Sequence, residues 1–269
     1  MPSSNYYTFG DNDEASARLR RLAELYEPET RELLLRGGAH KPQLAIDLGC
    51  GPGWTTRLLH HALHPARTVG LDASPRYIDE ARRNHGQEIQ AAPLEFHVHD
   101  VTQTPFPAAA PDALLCRFLL THLREPSEVL VRWAKVSARD CILLIHETES
   151  MQAEHPALRR YYELVAQLQH HYGQTLEVGA LLEGCVAKSG WRVVESRRLE
   201  LRKPASAMAQ IHLANLRTWR QDDFVRHAFD AGEIDALEDS LTQIAAGSQN
   251  DGAVINAARQ IVARRAPEA

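Results

Sequence analysis

Leu44-Ala45-Ile46-Asp47-Leu48-Gly49-Cys50-Gly51-Pro52-Gly53 decides the reading of this chain. A short apolar run enters three glycines at every second position, and a helical pattern begins at Trp54. Glycines at such a turn permit positive φ and let a ligand approach the main chain closely. The helix that follows points free N–H groups at whatever is bound. Two cofactor classes use this geometry. The dinucleotide fingerprint G-x-G-x-x-G wants its third glycine at position 54, for tight helix–strand packing. A large indole, Trp54, stands there instead.

Outward from the loop, strand and helix patterns alternate. A helix is expected over 54–63, a second short run over 68–71, and another helix from the Ser74 cap and Pro75 through Arg83. Runs at 94–98, 113–116 and 141–145 read as further strands, with a helix around 127–137 before the last. Such alternation implies parallel strands joined by crossovers and covered by helices on both faces. Upstream, 13–35 has Leu19, Leu22, Leu25, Leu33 and Leu34 at helical spacing; Pro28 breaks or restarts it, and Gly37-Gly38 end it. Downstream, 155–172 and 175–188 read as helices, 191–201 as a sixth strand, 207–246 as a helical stretch, and 255–263 as a further helix or strand.

The G-x-G-x-G spacing, with Asp47 two residues upstream, resembles the loop of the class I, Rossmann-like S-adenosylmethionine-dependent methyltransferases of small-molecule type. That resemblance implies an α/β fold: a seven-stranded, mostly parallel sheet with helices on both faces, capped by an N-terminal helical segment and helical insertions. The chain then divides into a helical cap or lid (1–41), a cofactor-binding core (42–150), a helical insertion (151–175) and the rest of the core (176–269) with an insertion at about 205–247. The cofactor would be S-adenosylmethionine, leaving as S-adenosylhomocysteine. Asp47, Gly49, Cys50, Gly51 and Gly53 are its expected contacts in the loop. Asp72, 19 residues after Gly53, closes the second strand. A carboxylate there suits the two ribose hydroxyls, with Ala73 beside it; the alternative is an acid at a helix N-terminus. By resemblance Asp100 meets the adenine amino group and the Val101 backbone a ring nitrogen, unless Asp100 only opens the turn before Thr102. Arg117 pairs a carboxylate or fixes its loop, and Phe118 walls the sulfonium or packs in the core. Tyr7, in Tyr6-Tyr7-Thr8-Phe9-Gly10, folds over the cofactor or staples the first helix.

Methyl transfer from a sulfonium draws its activation from the cofactor. The protein must align acceptor and methyl within about 3–3.5 Å in a dry site. A base is needed only where the acceptor keeps its proton until attack. His122, after the fourth strand, is a candidate base, or a helix-face histidine. His146 and Glu147, at the carboxyl end of the fifth strand, are candidates to orient the acceptor, or loop polars satisfied by water. The expected acceptor is a small molecule methylated on oxygen or nitrogen, with carbon a third option.

Composition narrows the partners. Thirty Lys and Arg against thirty-five Asp and Glu leave a net charge of −5, and no concentrated basic face appears, so nucleic acid is not expected. Nor is a membrane: no run of about 18 apolar residues exists, and Met1 to Tyr7 lacks the basic and apolar parts of a secretion signal. Four cysteines form no CxxC, which reads as reduced thiols in the cytoplasm. Among fourteen histidines, His97 with His99 and His60-His61 with His64 lack a third ligand at metal spacing, so no metal is expected. No Asn/Asp-Pro-Pro-Tyr/Phe motif, no Pro-Cys motif and no strong acid cluster points to a macromolecular acceptor. A monomer or homodimer is expected. Two rivals stand beside this reading: a non-catalytic protein that binds S-adenosylmethionine, and a NAD(P)-dependent oxidoreductase. The second would need a glycine near position 54 and a Tyr-x-x-x-Lys pair.

Overall fold

The computed structural model describes residues 9–38, 41–91, 93–247 and 252–267. The apolar runs become β1 (Leu44–Leu48), β2 (Arg67–Asp72), β3 (Leu94–Val98), β4 (Ala113–Arg117), β5 (Ile142–Ala153), β6 (Trp191–Pro204) and β7 (Ala253–Arg265). They form one seven-stranded sheet in the order β3-β2-β1-β4-β5-β7-β6. β1 to β5 pair in parallel, and β7 runs antiparallel between β5 and β6. The period of two along each strand sends alternate residues to opposite faces. Leu44, Ile46, Leu48, Leu114, Cys116, Leu143 and Ile145 share one core, while Ala45, Ala113, Leu115, Ile142 and Leu144 share the other.

Helices α1 (Asp13–Leu25) and α2 (Glu27–Arg36) precede the sheet, and α3 (Trp54–Leu63), α4 (Pro75–Asn84), α5 (Gly86–Ala91) and α6 (Pro126–Val136) cross between strands. The 13–35 stretch divides at Tyr26, and Pro28 lies in the first turn of α2, where its missing N–H costs nothing. α7 (Pro156–His171) and α8 (Gly179–Ala187) follow β5. The 207–246 stretch is three helices: α9 (Ala205–Trp219), α10 (Asp223–Ala228) and α11 (Ala231–Ala246). Asp222 and Asp230 restart it by accepting the Phe224 and Glu233 N–H groups. The 255–263 run is strand β7. It lies between two partners with both faces largely buried, so it lacks the alternation that marks a strand in sequence.

β5, β6 and β7 outrun the rest of the sheet. Past register shifts at Thr148/Ser150 and Val193/Glu195 they continue beneath α7, α9 and α11, which close a second core around Leu158, Tyr161, Leu216, Trp219 and Leu241. Among the described residues no helix is long and apolar enough to cross a membrane. No group of three or more His, Cys, Asp or Glu among them is placed to hold a metal.

Candidate functional site

A cavity of about 440 Å³ lies between the carboxyl ends of β1 and β4 and the helices α1, α7 and α9. In open α/β sheets this is the switch point, where connections leave in opposite directions and a crevice results. The loop after β1 forms one wall. Gly49, Gly51 and Gly53 all have positive φ, at 71°, 52° and 88°. The Gly49 and Cys50 N–H groups both donate to the Leu71 carbonyl, at 2.8 and 2.9 Å, which ties the loop to β2. A Cβ on Gly49 would lie 2.7 Å from the Leu119 side chain, at a φ that other residues rarely adopt.

Asp72 closes β2 and lines the cavity. Its Oδ2 accepts the Gly51 N–H at 2.8 Å and its Oδ1 the Ser74 N–H at 2.9 Å. Burial raises its pKa, and those two N–H groups oppose the rise. Both oxygens keep further lone pairs for a ligand. Ala73, Cys50, Asp100 and Val101 line the same wall. Asp100 Oδ1 accepts from the Thr102 N–H and hydroxyl, so the turn expected as its alternative role is present. Tyr7 lies outside the described residues.

Asp47 and Gly53 are not in the lining, which corrects the expectation of direct contact. The Asp47 carboxylate lies behind the loop and accepts the Thr55 and Thr56 hydroxyls at 2.6 and 2.8 Å, fastening β1 to the start of α3. Burial pushes its pKa up to about 6. Gly53 caps α3 with Phe96 and His85 against its vacant Cβ position.

After β4, Phe118 has a φ of 50°, a conformation costly for a non-glycine residue and concentrated at functional sites. Its N–H donates to the His146 carbonyl at 3.0 Å. Arg117 donates to the Thr30 hydroxyl and lies 5.4 Å from the Phe118 ring. Burial lowers its pKa to about 10, and buried Asp47 and Glu147 pull it back upward. Both Arg117 and Phe118 line the cavity.

The three candidates for chemistry separate. His122 lines the cavity, with Nδ1 3.4 Å from Gln169 Nε2 and its ring edge-on to Phe9. Burial, then the Arg18 charge, push its pKa down to about 3, so it is neutral at ordinary pH. His146 and Glu147 are fully buried and do not reach the cavity, so neither touches an acceptor there. Glu147 Oε1 instead accepts the Leu119 and Leu120 N–H groups at 2.7 and 2.8 Å, holding the loop that carries Phe118 and His122. Burial raises its pKa to about 7. His146 Nδ1 meets the Thr30 hydroxyl at 3.2 Å.

Sequence reasoning missed the far wall. Arg18, Tyr26, Gln169, Met208, His212 and Asn215 all line it. The signal was present: Arg18 sits on the face of α1 that carries Leu22 and Leu25, and His212 and Asn215 continue the Met208 stripe at helical spacing. A polar residue inside an apolar stripe marked each.

Comparison with known proteins places this geometry. Residues 46–145 match the methyltransferase domain family. The trans-aconitate 2-methyltransferase of Methylobacterium radiotolerans is 32% identical over 120 residues, 45% of this chain and 44% of that protein. The chain spans about half the length, or less, of the curated relatives it matches. A putative methyltransferase from Bacillus halodurans superposes with a TM-score of 0.60 at 14% identity, over 89% of this chain and all of the other. The Haemonchus contortus phosphoethanolamine N-methyltransferase 2, solved with phosphomonomethylethanolamine and S-adenosylhomocysteine, gives 0.55 at 16% identity, over 93% of this chain and 58% of that one.

Proposed function

The core of this chain is that of a class I methyltransferase, and from that premise we propose that it methylates an oxygen or nitrogen of a small molecule with S-adenosylmethionine. The observation that carries this reading is the positive-φ loop whose Gly51 N–H is held by Asp72, a carboxylate that keeps lone pairs toward the cavity. When bound, the cofactor supplies a methyl group already activated as a sulfonium substituent. Every other task falls to the chain.

Gly49, Cys50, Gly51 and Ala73 give the cofactor a close-fitting wall of main chain. Asp72 would accept the ribose hydroxyls, Asp100 the adenine amino group, and the Val101 backbone a ring nitrogen. Arg117 and Phe118 would flank the methionine end, and Tyr7 is assigned to the same ligand. Asp47 and Gly53 act by holding the loop. Residues 42–150 then form the cofactor-binding unit, and the helices of 1–41, 151–175 and 205–247 close over the acceptor. The relatives named for trans-aconitate support a small acid as acceptor.

Calorimetry with S-adenosylmethionine and S-adenosylhomocysteine tests the first half, and a mass survey of acceptors for one added methylene tests the second. Binding of both compounds with methylation of a small acceptor is the expected result. Preference for a nicotinamide dinucleotide would end the proposal, and binding without turnover of any acceptor would leave only a binding protein.

A further inference from the structure

The two ends of the cavity differ in charge. Asp11, Asp72 and Asp100 line the cofactor end, and Asp11 reaches across to the Ser74 hydroxyl. The end built by α1, α7 and α9 has no carboxylate among its described lining residues, but it holds a guanidinium. Arg18 is only 3% exposed and lies 5.5 Å from the Phe9 ring. Arg18, His122, Tyr161 and His212 line this same cavity.

His212 is 7% exposed and stacks on Tyr161 at 4.3 Å. Its Nε2 lies 2.7 Å from the Tyr162 hydroxyl, while Nδ1 has no hydrogen-bond partner among the described residues. With Tyr162 donating to Nε2, the neutral ring carries its proton on Nδ1 and presents a donor. Gln169 Oε1 and Asn215 Oδ1, both on buried side chains of the cavity wall, likewise lack partners. Buried polar atoms left this way are costly, and three on one wall point to a ligand that completes them.

We infer that this end of the cavity binds the acceptor through a single carboxylate, with Arg18 as its charge partner and His212 as a donor, and that the acceptor's remaining body is apolar apart from a hydroxyl or N–H that donates to Gln169 or Asn215. The inference rests on the methyltransferase reading and names its substrate class. A guanidinium's planar fork suits a carboxylate. One arginine matches one anion, and the neighbouring wall of Leu22, Val165, Met208 and Ile211 leaves further carboxylates of a polyacid unpaired in a dry site. Gln169 and Asn215 leave room for a hydroxyl or N–H on that body. Geometry and chemistry agree, because burial lowers the pKa of His122 and His212 to about 3 and leaves each a weak base, and this acceptor needs none. An ionised carboxylate has no proton to lose. Its oxygen lone pair bonds to the methyl carbon, the carbon–sulfur bond breaks with its pair left on sulfur, and the two charges cancel.

Octanoate, phenylacetate, trans-aconitate, octanol and octylamine, titrated into the protein loaded with S-adenosylhomocysteine, test this without turnover. Incubation with S-adenosylmethionine then reads methyl ester by mass. Octanoate or phenylacetate should bind at least about ten-fold more tightly than the other three and be esterified. Arg18→Met should weaken acid binding about 100-fold, while affinity for S-adenosylhomocysteine stays within about two-fold. Arg18→Lys should recover part of the loss, since it keeps charge without the fork, and it serves where Arg18→Met does not fold. Tighter binding of trans-aconitate, methylation of the amine or alcohol alone, or no acid bound overturns the inference and leaves the methyltransferase reading standing. Failure to retain S-adenosylhomocysteine overturns that reading instead.

Discussion

The cofactor end and the cap end of the cavity are built from different materials. One is main chain: three positive-φ glycines, carbonyls and N–H groups, with carboxylates where strands stop. The other is side chains projecting from α1, α7 and α9 around a separate core. A main-chain site tolerates few sequences, because backbone must come close to ligand. A helix-face site can be rewritten one residue at a time, and so can the acceptor it takes.

Substitutions can break this contrast or sharpen it. The largest effect is expected at Gly53, where a Cβ would sit 2.8 Å from Phe96 and 2.9 Å from His85 at a φ of 88°. Gly53→Val should cost about 4 kcal/mol in urea unfolding, from left-handed strain and overpacking together. A loss below about 1 kcal/mol would show that the loop is not tightly held. In the cap, Leu241→Ala should cost about 3 kcal/mol, the usual cavity term. Affinity of the folded fraction for S-adenosylhomocysteine should hold within about two-fold, if the cofactor end is built independently of helix faces.

Asp72→Ala should weaken S-adenosylmethionine by about 2 kcal/mol in calorimetry, and cost about 1–2 kcal/mol in unfolding because the Gly51 and Ser74 N–H groups lose their acceptor. The pH dependence is finer. His122, His146 and His212 are held neutral, each with a pKa near 3. Their contribution is present above the unfolded value near 6.5 and is lost as pH falls toward 3. Glu147 and Asp47, raised to about 7 and about 6, act oppositely. Their contribution is present at low pH and is lost as pH rises to those values. Three groups outweigh two below pH 6, so acid should destabilise the protein. Glu147→Gln removes one opposing group and should steepen the loss between pH 6 and pH 5 by about 1.4 kcal/mol. An unchanged slope would place the Glu147 pKa in the ordinary carboxylate range. Glu95→Gln, which opens the half-exposed pair with Arg67 at the sheet edge, should cost less than about 1 kcal/mol and leave ligand binding alone.

The same contrast explains what the chain let be read. Gly49, Gly51 and Asp72 were legible because a turn of that geometry admits few residue types. β1 to β5 were legible from apolar runs of strand length between helical patterns. β7 was ambiguous because burial on both faces erased its period. His146 and Glu147 sat at the right strand end, but the last β5 residues before the register shift point into packing, and Glu147 had already spent one oxygen on two N–H groups. Arg18, His212 and Asn215 meet only in three dimensions, from helices nearly two hundred residues apart in the chain.

β5, β6 and β7 run without interruption from the sheet into the cap. Two ladders of hydrogen bonds, β5 with β7 and β7 with β6, join the two regions, so melting either one strips partners from the other. Heating should therefore yield one cooperative transition, with fluorescence of Trp219 in the cap and Trp133 beneath the sheet reporting the same midpoint.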